Sequence, residues 1–184
     1  MKKNKSFFRA IFYFTRNLLA VIGLLLIIYH LFFNVMVVYS ESMSPTLKGT
    51  ATTPRDYVLV EKISYMFRKP HRWEIIKYQT DDELYTNVMK RVVGLDGETI
   101  SIKDHWICID GKPIERPPKL DFLKYYGVGE LFNEREVKCN SAYFMMGDDS
   151  MDSYDSRFTG PIDPNRFEGR AMMIIWPPSR IHLL

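Results

Sequence analysis

Two groups of residues in this 184-residue chain could do chemistry together. The first is Ser40-Glu41-Ser42-Met43-Ser44-Pro45-Thr46-Leu47, with hydroxyls at alternate positions. In an extended segment alternate side chains share a face, so Ser40, Ser42 and Ser44 would point the same way until Pro45 ends the run. The second is Lys90, set among Val88, Met89, Val92 and Val93. A solvated lysine has a pKa near 10.4, so a neutral amine at pH 7 costs roughly 4.6 kcal/mol. Apolar burial can lower that pKa by up to about 3–5 units, which removes most of the cost. A neutral Nζ can take a proton from a serine hydroxyl and later hand it to a leaving amine. That is serine/lysine peptidase chemistry. Spacing alone does not choose among the three serines, and a snorkelling lysine on an edge strand is the plain alternative for Lys90. Arg91, on the opposite face of the strand, stays charged and needs a carboxylate partner.

The elements that must position these groups begin with an anchor. From Asn17 to Ser40 there is no Asp, Glu, Lys or Arg, and the run is long enough to cross a bilayer, where about 20 apolar residues are needed. It is longer than the usual apolar stretch of a cleaved secretory signal and continues into Val35–Val38, so a retained anchor over 17–38 is expected, with a signal peptide or a buried core helix as the alternatives. Lys2, Lys3, Lys5, Arg9 and Arg16 all precede it, which places the N-terminus, 1–16, in the cytoplasm and residues 39–184 on the far side. Those five cations exceed the whole net charge of +3, and without them the remainder carries −2. Nucleic-acid binding is therefore not expected.

Beyond the anchor, short β-runs alternate with turn residues. Tyr57–Ile63, Glu74–Tyr78, Asn87–Val93, Glu98–Ile102, Trp106–Ile109, Ala142–Met146 and Arg170–Trp176 read as strands. Asp110-Gly111 signals a two-residue hairpin turn, and Lys103-Asp104-His105 turns the pair before it. The fold class is mainly β, a β-rich domain preceded by one transmembrane helix. Residues 111–138, rich in Pro, Gly and aromatics, read as a cap insertion with little regular structure, whose aromatics are expected to pack in the ordinary way, contact with lipid headgroups or substrate being the alternative. Cys108 and Cys139 permit one disulfide on an oxidising side of the membrane, but the sequence does not give their separation. No Cys/His group has metal-ligand spacing, and no metal or cofactor is expected.

Three ordered motifs then carry a resemblance. Ser42-Met43-Ser44-Pro45-Thr46-Leu47, Lys90-Arg91-Val92-Val93-Gly94-Leu95-Asp96-Gly97-Glu98 and Gly147-Asp148-Asp149-Ser150-Met151-Asp152-Ser153-Tyr154-Asp155-Ser156-Arg157 occur in the order seen in type I signal peptidases. Arg55–Val60 resembles the family's strand between the first two, and the likeness runs on to Trp176-Pro177-Pro178. The resemblance implies a signal-peptidase-like β-rich catalytic domain with Ser42 as nucleophile and Lys90 as general base. It implies an oxyanion hole from the Ser42 N–H and the Ser40 hydroxyl, Ser153 hydrogen-bonded to the Lys90 amine, and Arg91, Asp155 and Arg157 in supporting ion pairs. Met36, Val38, Met43 and Met89 would line pockets for small side chains, giving cleavage after Ala-X-Ala ends. The implied substrates are signal peptides of secretory preproteins. The implied setting is the bacterial cytoplasmic membrane, with the bilayer and the secretion translocon close by. The chain departs from the family pattern at Glu41, at Arg55 and at Asp149-Ser150-Met151-Asp152, which bears on substrate preference more than on the proposed dyad.

Other readings remain. A specialised pilin- or precursor-maturing peptidase of the same family has the same motifs, and an anchored binding protein without turnover could keep the fold. A Ser-His-Asp hydrolase would need a histidine, but His30 lies in the anchor, His71 in a loop, His105 in a turn and His182 in the tail. A self-cleaving, DNA-bound serine/lysine protein disagrees with the anchor and the acidic remainder.

Overall fold

The computed structural model describes residues 2–50, 54–81, 86–129 and 135–184, with side chains from Phe7 onward. It separates into two units, residues 1–34 and 35–184. The first is essentially one helix, α1 (Lys2–Phe32). Its Phe7–Phe32 stretch is long and apolar enough to cross a membrane. At 1.5 Å per residue it spans roughly 39 Å, against a hydrocarbon core of about 30 Å. The helix stops earlier than the expected 17–38 anchor, because Phe33–Val37 forms strand β1. The β-branched Val35 and Val37 favour an extended backbone there.

The second unit is built on two sheets. Its strands are β2 (Tyr57–Glu61), β3 (Ile75–Gln79), β4 (Asn87–Gly94), β5 (Thr99–Lys103), β6 (Trp106–Ile109), β7 (Lys112–Pro113), β8 (Val137–Lys138), β9 (Phe144–Met146), β10 (Phe167–Trp176) and β11 (His182–Leu183). The larger sheet runs β1-β2-β10-β3-β4-β9, with β11 also on β10, and the smaller runs β7-β6-β5-β8. Two four-residue helices, α2 (Ser64–Phe67) and α3 (Ser156–Thr159), are too short to show a periodic pattern in sequence. Every strand expected from alternation has its counterpart, most within two residues of the expected ends. Both hairpin turns use paired positive φ: 49° and 65° at Asp104 and His105, 50° and 78° at Asp110 and Gly111.

Strand β4 carries the lysine. It is flanked by β3 and β9, and its last six residues, Met89–Gly94, are all buried. Burial on both faces turns a lysine in this strand into a desolvated one. The 111–138 segment also joins a core: Leu120, Leu123 and Tyr125 pack with Ile100, Ile107 and Phe144. Of its aromatics, Phe132 lies outside the described residues. Cys108 and Cys139 are both buried and free.

Candidate active site

The serine segment is not extended. Residues 41–47 form a run of turns closed by Ser44 N–H to Glu41 C=O (2.7 Å) and Leu47 N–H to Met43 C=O (2.8 Å). Leu47 is fully buried and pins this loop to the core formed by Met43, Val58, Val60 and Ile174. The turn means the three serines do not share one face, and it selects among them. Ser42 Oγ accepts from Lys90 Nζ at 2.5 Å, and Ser40 Oγ lies 3.1 Å from Ser42 Oγ. Ser40 and Ser42 line a common groove, and Ser44 does not. Glu41, the unusual residue between the serines, accepts from the N–H groups of Gly49 (3.0 Å) and Thr50 (2.7 Å). It closes the loop and leaves both serines in place.

Lys90 comes from β4, where it sits opposite Ile76 of β3, and is only 3% exposed. Burial pushes its pKa down to about 8. The Asp155 carboxylate opposes that shift, Arg157 adds to it, and Asp148 and Asp152 oppose it more weakly. Desolvation wins because the carboxylates of Asp148 and Asp155 are each spoken for. Asp148 takes a two-pronged bond from Arg91, Nε at 2.7 Å and a terminal nitrogen at 2.6 Å. Asp155 takes the same from Arg157, Nε to Oδ1 at 2.8 Å and a terminal nitrogen to Oδ2 at 2.9 Å. All four of these side chains are almost completely buried. Forked guanidinium–carboxylate bonds suit such sites because both carboxylate oxygens find a donor.

The partner that Arg91 needs is thus Asp148, which also accepts from Thr46 Oγ1 at 2.5 Å. Sequence reasoning gives neither Asp148 nor Thr46 a role, although both lie inside the three motifs. The expected pairing of Asp155 with Arg157 is present. Ser153 differs from expectation: its hydroxyl donates to Asp155 Oδ2 at 2.7 Å, and the bond of the Lys90 amine goes to Ser42. The Asp155 carboxylate, two residues away, is a strong acceptor and fixes the direction of the Ser153 hydroxyl proton. Gly147 lets these parts approach. A Cβ there would fall 2.2 Å from Ser153 Oγ and 2.4 Å from the Ser42 carbonyl oxygen. Its N–H donates to Asp155 Oδ2 at 3.0 Å.

A groove of about 1480 Å³ opens onto Ser42 and Lys90. Met36, Val38, Met43 and Met89 line it, and Met151, Tyr154 and Phe158 form an exposed rim. Strand β9 pairs with β4 only from Arg91 onward, so among the described residues the Asn87–Lys90 end of β4 has no strand on that side. No histidine lines this groove among the described residues. The described residues also hold no group of His, Cys, Asp and Glu arranged for a metal.

The family model described as signal peptidase, peptidase S26, matches residues 11–176, which include every side chain of this site. The chain belongs to this family. Among S26 relatives, a signal peptidase I of Leptolyngbya laminosa is 33% identical over 154 residues, covering 77% of this chain and 68% of the relative. A probable signal peptidase I-2 of a Synechocystis strain is 30% identical over 151 residues, covering 79% of this chain and 64% of the relative. The chain therefore spans about two thirds of the length of these S26 proteins. The crystal structure of a signal peptidase I from Enterococcus faecalis aligns with a TM-score of 0.43 at 24% identity, covering 56% of this chain and 97% of that one.

Proposed function

We propose that this chain is a membrane-anchored serine endopeptidase that removes N-terminal signal peptides from exported preproteins. Ser42 is the nucleophile and Lys90 the general base. The observation that carries the reading is the 2.5 Å contact between Lys90 Nζ and Ser42 Oγ, with the amine almost out of water. Once Lys90 has lost its proton, its Nζ accepts from Ser42 Oγ as that oxygen attacks the scissile carbonyl. The Ser42 N–H and the Ser40 hydroxyl then face the oxygen that becomes negative in the tetrahedral state. The protonated amine passes its proton to the leaving nitrogen, and water completes the cycle with Lys90 again as base.

The groove supports the substrate class. An extended peptide fits beside the uncovered end of β4, where backbone groups hold it without reading its sequence. Met36, Val38, Met43 and Met89 narrow the groove near Ser42 and favour small side chains before the cut, as in Ala-X-Ala. The five cations in the first half of α1, ahead of its charge-free stretch from Asn17, support a cytoplasmic N-terminus and a catalytic domain on the outer side of a bacterial cytoplasmic membrane, near the translocon that delivers preproteins.

The test is cleavage of a purified preprotein by the full chain in detergent. Native protein should release the mature form, while folded Ser42→Ala and Lys90→Ala should not. If Ser44→Ala alone abolishes cleavage, the nucleophile is misassigned. Sequencing the N-termini of exported proteins after depletion separates general secretion, with many uncleaved precursors, from maturation of a single precursor.

A further inference from the structure

Arg180 lies outside the matched segment, four residues beyond its end, yet it reaches back to the loop that carries Ser42. Its Nε donates to Asp56 Oδ1 at 2.8 Å, and a terminal nitrogen donates to Asp56 Oδ2 at 2.8 Å and to the Thr46 carbonyl at 3.0 Å. Asp56 is completely buried and joins both ends of the serine loop. Its carbonyl accepts from Val38 N–H, its N–H donates to the Lys48 carbonyl, each at 2.9 Å, and its carboxylate accepts from Lys48 N–H at 2.8 Å. Thr46, four residues after Ser42, is held on its other side by Asp148, the partner of Arg91 next to Lys90.

We propose that Arg180 is a positioning residue for catalysis, clamping the Ser42 loop through Asp56 and the Thr46 carbonyl so that the nucleophile stays in register with the lysine of β4. This rests on the peptidase reading and extends it to a part of the chain that the family match leaves out. The clamp is held rigidly at its own root. Arg180 sits in a 3-10 turn, Pro178–Arg180, between β10 and β11, and the tail is tied back by Met173 opposite Leu183 and by Leu184 N–H to the Met172 carbonyl at 3.0 Å. Of these donors to the buried Asp56 carboxylate, only the Lys48 N–H would remain without the guanidinium. A buried carboxylate that has lost its cation draws in water or moves toward it. Either response loosens the loop. A lysine at 180 keeps the charge but cannot fork across both carboxylate oxygens and the carbonyl at once.

The experiment compares native full-length protein with Arg180→Ala and Arg180→Lys in detergent. It measures kcat and KM on a preprotein, thermal unfolding, and the Lys90 pKa by competitive acetylation against pH with mass spectrometry. Arg180→Ala should lower kcat roughly 10- to 100-fold, as expected for a small misplacement of reacting groups. KM should change much less than kcat, because no groove-lining side chain is substituted. Water reaching the loosened site should move the Lys90 pKa upward, toward that of a free lysine. The charges that face Lys90, namely Asp155, Arg157, Asp148 and Asp152, are not altered by the substitution. Arg180→Lys should fall between the two. Unchanged kcat, or activity lost only in proportion to the unfolded fraction with the Lys90 pKa unmoved, overturns the proposal. If native protein cleaves no preprotein, the peptidase reading falls, and the Lys90 labelling result alone decides the clamp.

Discussion

The sharpest test of the dyad is the pH at which the amine becomes a base. With a pKa of about 8, roughly one Lys90 in eleven is neutral at pH 7, whereas a solvated lysine would be neutral in only about one molecule in 2,500. Log kcat/KM should therefore climb with a slope near one below pH 7, bend near pH 8 and flatten above pH 9. The same shift has a signature in stability. The folded pKa lies below the unfolded one, so the unfolded chain holds this proton more tightly and Lys90 weakens the fold at low pH. That penalty is about 3 kcal/mol below pH 8 and fades as pH rises through the window from 8 to about 10.5. Lys90→Met, of similar length and without charge, should be more stable than native protein by up to that amount at pH 7, with the gap closing near pH 11. The assays are initial rates on a preprotein in detergent and urea unfolding across the same pH range. A bend near pH 10.4, a rate flat from pH 5 to 10, or a Lys90→Met variant no more stable at pH 7 would refute the reasoning.

The buried ion pairs and the tight glycine give further outcomes. Asp148→Asn and Asp155→Asn each leave a buried guanidinium without its counter-charge and should cost about 3–5 kcal/mol in urea unfolding. Because the Asp155 carboxylate raises the Lys90 pKa, the folded fraction of Asp155→Asn should also show its rate bend at lower pH than native protein. Gly147→Ala places a methyl group on Ser153 Oγ and the Ser42 carbonyl, so kcat, measured on the same preprotein, should fall roughly 100-fold with little change in KM.

Much of this arrangement is legible in the sequence because it is local. Alternation between faces of a sheet marks the strands, and Asp110-Gly111 marks its hairpin because few residues tolerate two successive positive φ angles. Lys90 is legible because an ammonium amid valines is out of place on energetic grounds. What escapes a sequence reading depends on chain closure. Arg91 announces that it needs a carboxylate, but only the packing of β4 against β9 brings Asp148 to it across 57 residues. Arg180 meets Asp56 across 124 residues, with no sequence signal for the pairing. The end of α1 is misjudged for a different reason: Val35–Val38 is as apolar as a membrane span, and hydropathy does not separate a buried strand from a helix in lipid. The Lys90 amine bonds to Ser42 and not to Ser153 because the fold, which no sequence pattern specifies, sets which hydroxyl lies within its reach.

The crossing of the chain beside Ser42 has a consequence for how this protein can vary. At Gly49 an added Cβ would fall 2.4 Å from the Ser40 backbone nitrogen, and Val38 and Lys48 are both stitched to Asp56. The backbone thus threads an eyelet with no slack, and Ser42 is carried on its rim. One residue inserted between Ser40 and Lys48 would lengthen that rim by about 3.8 Å, more than the whole reach of the bond to Lys90. Length changes should be tolerated at distant surface turns and rejected here, so the spacing of this stretch matters to the Ser42–Lys90 geometry as much as the hydroxyl it carries.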